Sequence, residues 1–160
     1  MDSVFLSAFM YSLEKMSKSM LGSACVPLGT GGTESAGSYV SGVVYFSGTR
    51  DGRIALSFAR RTAQRMVAEM LGTNPVDVDD AMLQDGVAEM ANIVAGNAKA
   101  LLADTRYRVT MSLPRVVLGQ SFHPGSRPLE KAHYRCFDTG VGILSLAVWL
   151  MPEAPAERRV

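Results

Sequence analysis

At 160 residues, with 48% hydrophobic and 19% charged side chains, the chain is long enough for one domain with a full core and too short for two. Its composition excludes a disordered polymer, and a formal net charge of +1 gives no global attraction to nucleic acid or to an anionic membrane surface. The two cysteines, Cys25 and Cys136, lie far apart with no paired motif, the N-terminus lacks a basic signal region, and the longest apolar run, Val141 to Met151, is too short to span a bilayer as a helix. A cytoplasmic location with reduced thiols is the expectation.

In chain order, Ser3 to Leu21 places Phe5, Leu6, Phe9, Met10, Leu13, Met16 and Met20 at helical spacing, with Gly22 as the stop. Leu28 to Ser38 is rich in Gly, Ser and Thr but lacks the Gly-Lys-Ser/Thr of a phosphate loop, and reads as a flexible connection. Tyr39 to Ser47 and Arg53 to Phe58 read as strands around the turn residues 48–52. A short helix from about Ala59 to Leu71 turns Ala63, Met66, Val67 and Met70 inward. Arg60, Arg61 and Arg65 lie on its outer side, where a solvated face is favoured over an acidic or RNA partner.

Asn74-Pro75 breaks the chain, and Asp77, Asp79 and Asp80 complement the start of a long helix from about Asp79 to Ala103. At roughly 100° per residue, Leu83, Val87, Met90, Ala91, Val94, Ala98, Leu101 and Leu102 share its apolar face. Asp85, Glu89, Asn92 and Gly96 form a narrow stripe opposite, flanked by Ala88, Ile93 and Ala100. Good helix formers with long charged tips are missing there, so another surface could approach closely. Further strands follow at Tyr107 to Ser112, Arg115 to Gln120, Ala132 to Phe137 and Val141 to Leu150, with Pro114 marking a bend or an edge. The last strand is apolar on both faces, which predicts a central position covered by helices. The expected fold is α+β: a single domain over 1–151, three helices on a mainly antiparallel sheet, and a frayed tail at 152–160.

Little enzyme chemistry is available to this chain alone. His123 and His133 have no metal-ligand companions at suitable spacing, and no nucleophile elbow, Cys/His dyad or dinucleotide loop is present. No metal or cofactor of its own is expected. A catalyst built this way must lend one or two polar groups to a site whose chemistry lies on another molecule, which returns attention to the long helix.

Asp85-x3-Glu89-x2-Asn92, followed by Pro114 after twenty-one intervening residues, resembles the active-site signature of the CheC/CheX/FliY phosphatases, and the run Glu89 to Lys99 is CheX-like. That resemblance implies an α+β fold and removal of phosphate from a CheY-like response regulator in chemotaxis or a related two-component pathway. It implies that Glu89 engages a basic residue of the regulator, that Asn92 enters the regulator's active site and orients the attacking water, and that Asp85 and Pro114 support the helix and its neighbouring strand. Ala88, Ile93 and Gly96 would line the partner interface, and Mg2+ would belong to the partner's active site. The first helix carries Glu14 but Ser17 where a second Glu/Asn pair would need Asn, so one site per chain is implied, together with a homodimer. The alternative is a non-catalytic adapter, similar to flagellar-switch domains, that binds a regulator through the same helix.

Overall fold

The protein is described by a computed structural model, which covers residues 3–29, 39–119 and 132–151. Helices α1 (Ser3–Met16), α2 (Arg60–Leu71) and α3 (Asp80–Leu102) pack on a seven-stranded sheet of β1 (Val26–Gly29), β2 (Tyr39–Gly48), β3 (Gly52–Ala59), β4 (Val109–Met111), β5 (Arg115–Leu118), β6 (His133–Asp138) and β7 (Ile143–Leu150). The strand order is β1-β6-β7-β3-β2-β4, with β5 also on β2, and every pairing is antiparallel. The expected α+β class with three helices on an antiparallel sheet is what the described residues show.

Period-two alternation sorts the sheet into two faces. Val40, Val44 and Phe46 of β2, Ile54, Leu56 and Phe58 of β3, and Leu144, Leu146 and Val148 of β7 belong to the main core with all three helices. Phe5 and Phe9 of α1 anchor it, with the Phe5 ring centre 5.3 Å from that of Phe46 in a tilted contact and 5.8 Å from that of Tyr107 edge-on. Val43, Ala55, Tyr134, Cys136, Ala147 and Trp149 form a second, smaller cluster on the other face. Ser41 and Ser57 there bond to each other across strands at 2.7 Å, and Arg53 lies 4.8 Å from the centre of the Trp149 ring.

That second face corrects one expectation. β7 is apolar on both faces, but the described helices cover only one, and the other is filled by small residues and two aromatics packed among themselves. The first helix also differs at its end: α1 stops at Met16 and the chain continues as a wider π-helical turn over Ser17–Leu21. β1 begins at Val26, where no element was expected, and takes in Leu28 and Gly29, the first two residues of the expected flexible connection. Its four residues are all exposed, so they carry no burial pattern to read. Residues 30–38 of the predicted connection, Gln120, His123 and the predicted tail 152–160 lie outside the described residues.

Two glycines set how the helices sit. A Cβ on Gly42 of β2 would come within 2.8 Å of the Ala91 Cβ and 3.1 Å of the Val87 carbonyl oxygen, so α3 lies directly against the middle of β2. A Cβ on Gly86 would meet Val67 Cγ2 at 2.5 Å, so the first half of α3 is pressed against α2. Glycine permits both approaches because it has no side chain to displace.

Candidate functional site

The long helix begins where the acidic run requires. Asp79 is extended and caps α3 by accepting from the Met82 amide at 2.8 Å, and Asp80 in the first turn pairs with Arg60. From there the 3.6-residue period divides the helix. Leu83, Val87, Met90, Ala91, Val94, Ala98 and Leu102 are buried as expected, and Ala95 joins them. Leu101 does not: in the last turn of α3 it is 47% exposed, while Leu102 beside it is fully buried.

On the opposite side Asp85, Glu89, Asn92 and Gly96 are all exposed. Asp85, Glu89 and Asn92 make no hydrogen bond or ion pair among the described residues, so none of the three is committed to a described neighbour. Beyond the helix's own backbone, no described atom lies within 4 Å of where a Gly96 Cβ would stand, so no described neighbour calls for glycine. Ala88 is half-buried on the flank of this stripe. Ile93, grouped with the outward residues, instead turns partly inward and packs against the main core. The stripe is therefore narrower than the sequence suggests.

The stripe is a poor choice for helix stability alone. Gly96 costs about 1 kcal/mol relative to Ala in a helix interior. Asp85 and Glu89 are like charges one turn apart, worth roughly 0.2–0.5 kcal/mol against the helix. Exposed positions that weaken the helix and make no polar contact among the described residues are where a partner's surface can be served.

Pro114 has a defined geometric role. Phe46 pairs with Met111, and Val43 pairs with Arg115, so two residues of β2 face three of the opposite segment, Ser112, Leu113 and Pro114. This is a β-bulge on the edge of the sheet, where proline's missing donor does no harm. The extra residue restores parity. Met111 and Val116 both pack against the main core, which an unbroken strand would forbid because they are five positions apart. Leu113 is left 83% exposed by the extrusion. Pro114 itself is half-buried beside the part of β2 on which α3 rests, so its link to the helix is through the sheet. A period-two reading has no signal for such an insertion beyond the proline.

Elsewhere the described residues hold no group of three His, Cys, Asp or Glu side chains able to hold a metal ion, and no helix is long and apolar enough to cross a membrane. His133 is half-buried on β6, where burial first, and more weakly the charge of Arg135, push its imidazole below the ordinary range. In the π-helical turn after α1, Ser17 lies buried and donates to the Ser23 carbonyl at 2.8 Å, so the position that would need an exposed Asn is occupied by a structural hydroxyl.

Comparison with known proteins gives the same architecture. Among solved structures, CheX from Vibrio vulnificus matches at 24% identity with a TM-score of 0.76, over 94% of this chain and 100% of that one. A CheC-like superfamily protein from Shewanella sp. PV-4 matches at 24% and 0.75, over 95% and 100%. A complex of CheX with CheY, BeF3 and Mg2+ from Borrelia burgdorferi matches at 20% and 0.71, over 92% and 98%. A sequence search of curated proteins gives no match. The family model of the chemotaxis phosphatase CheX matches residues 40–133, a span that runs from β2 through α3 to the start of β6 and so contains the whole exposed stripe and the bulge at Pro114: the chain belongs to the CheX family.

Proposed function

We propose that this protein is a phosphatase of a phosphorylated CheY-like receiver domain, acting in chemotaxis or a related two-component pathway, with Asn92 as the catalytic residue and Glu89 as the anchor. The observation that carries the reading is the stripe itself: an amide and a carboxylate one turn apart, exposed, unbonded within the described chain and unobstructed at Gly96. Membership of the CheX family supports it, and so does the likeness in fold to the Borrelia burgdorferi CheX that is bound to CheY.

The chemistry follows from what each group can do. Hydrolysis of an acyl phosphate is mainly a matter of placing water in line and balancing the developing negative charge. A neutral amide is suited to both, because the Asn92 carbonyl oxygen accepts from the water while its NH2 group donates to a phosphate oxygen. A carboxylate aimed at the phosphate would repel it, so Glu89 serves better by pairing with a cation at the rim of the receiver's site. The phosphorylated aspartate and Mg2+ belong to the receiver, and no metal or cofactor is asked of this chain. Pro114 acts by support, closing the bulge that keeps β5 in register; Asp85, exposed and unbonded among the described residues, is part of the stripe offered to the receiver rather than a prop of the helix. A homodimer is the proposed assembly, in keeping with the family resemblance and with the exposed edge of β1, where Val26 and Leu28 are 57% and 43% exposed.

The test is phosphate release from a phosphorylated receiver domain with Mg2+, with and without the protein. Acceleration that depends on the protein's concentration supports the reading. Binding of the receiver without acceleration would instead identify a non-catalytic adapter.

A further inference from the structure

The arginine cluster on α2 is not used by the mechanism above, and the structure divides it. Arg60 is taken up by Asp80 at the start of α3. Arg61 and Arg65 are exposed and make no ion pair among the described residues, although Glu69 lies one turn beyond Arg65 on the same helix. With Gln64, they form one wall of an open groove of about 630 Å3 whose other wall is Pro75 and Val76 of the 3-10 turn Pro75–Asp77. Val76 is 90% exposed, and Leu71 at the end of α2 is 54% exposed.

Three features argue against a merely solvated face. Like charges at i and i+4 oppose each other on a helix, and among the described residues no ion pair offsets them. Both are arginine, whose planar fork takes carboxylates bidentately, where lysine would serve equally well for solubility. The facing wall is apolar and fully presented to solvent, which a groove for a small inorganic anion would not need. An RNA strand fits poorly, because two cations on a near-neutral chain, with no aromatic among the lining residues, give neither backbone tracking nor base stacking.

We propose that the groove between α2 and the turn Pro75–Asp77 binds an acidic protein segment carrying two carboxylates one helical turn apart, beside an apolar residue that packs on Val76. Arg61 and Arg65 each take one carboxylate, at the spacing that α2 itself sets. The site is opposite in sign to the Asp85 and Glu89 stripe on the adjacent helix, so a single patch of a partner cannot satisfy both. It is a second interaction surface, and it stands whether or not Asn92 is catalytic.

The probe is a fluorescein-labelled helical peptide with glutamates at i and i+4 next to a leucine, measured by fluorescence anisotropy against the full chain. Saturable binding is expected, weakened severalfold when salt is raised from roughly 50 to roughly 500 mM. R61E/R65E should lose at least about tenfold in affinity, R61K/R65K should fall between it and the parent, and Asn92→Ala should bind as the parent does. Val76→Ser, on the other wall, should weaken binding with both arginines in place. Circular dichroism confirms that each variant is folded. No saturation, binding indifferent to R61E/R65E, equal binding of the glutamine version of the peptide, or a change of oligomeric state in R61E/R65E would overturn the proposal. Preference for a single-stranded oligoribonucleotide over the peptide would overturn it equally.

Discussion

Glu89 and Asn92 are adjacent on one helix turn and share their exposure, yet their proposed roles are separable. Charge reversal at Glu89 removes an attraction and installs a repulsion, so Glu89→Lys should raise KM for the phosphorylated receiver by at least about tenfold. The defect should deepen at low salt and leave the saturated rate nearly intact, as steady-state kinetics at two ionic strengths will show. Gly96 allows a different kind of test, because its role must be external. With open space above it, Gly96→Ala should stabilise the protein by about 0.5–1 kcal/mol, seen as a higher Tm. Gly96→Trp should fold as well and fail to dephosphorylate the receiver, since its bulk would lie on the face proposed for the receiver. If Gly96→Trp keeps full activity, the receiver does not lie on this stripe.

At the scale of elements, the same substitution in three places should give opposite signs. Gly42→Ala and Gly86→Ala place a methyl within 3 Å of Ala91 and Val67, both fully buried, and should destabilise by roughly 1–3 kcal/mol in denaturant titrations. Gly96→Ala should do the reverse. The difference separates glycines that position α3 from the one that clears its outer face. It also shows what was legible in the sequence. The inward face of α3 follows from a 3.6-residue period sustained along the whole helix, and the outward stripe follows as its complement. Leu101 obeys that period yet is 47% exposed in the last turn of α3, so the period alone does not fix burial at the helix end. Ile93 departs from it for the converse reason: α3 is embedded among a sheet and two helices, so its buried arc is wider than a single apolar stripe. β1 leaves no trace in the pattern because Val26-Pro27-Leu28-Gly29 is exposed throughout and has no alternation. The bulge at Leu113–Pro114 could be sensed only as a proline, since one inserted residue changes register without changing composition.

For the whole molecule, the two faces of the sheet matter more than the count of elements. The helix layer carries the main core and presents α3 outward. The reverse face is held by its own small cluster around Trp149, and the apolar pattern of β7 reflects both without saying what covers either. Both thiols are built into this packing. Cys136 is fully buried, and Cys25 is nearly so, its thiol pushed up by burial first and by the charge of Glu14 second. Native alkylation near pH 8 should therefore be slow at both, rising together with global unfolding when denaturant is added, as mass spectrometry of timed samples can follow. Fast labelling of Cys136 without denaturant would contradict the packed sheet.

The central claim is that this chain supplies half of an active site, and that Asn92 is the chemical group in that half. The most direct test is single-turnover and steady-state hydrolysis of a phosphorylated CheY-like receiver by the parent protein and by Asn92→Ala, with receiver binding measured in parallel. The expected result is a saturated rate lower by about 10²–10³, by analogy with the loss of one oriented donor, with affinity for the phosphorylated receiver changed by less than about threefold. An Asn92→Ala protein that hydrolyses the acyl phosphate at the parent's rate would contradict it.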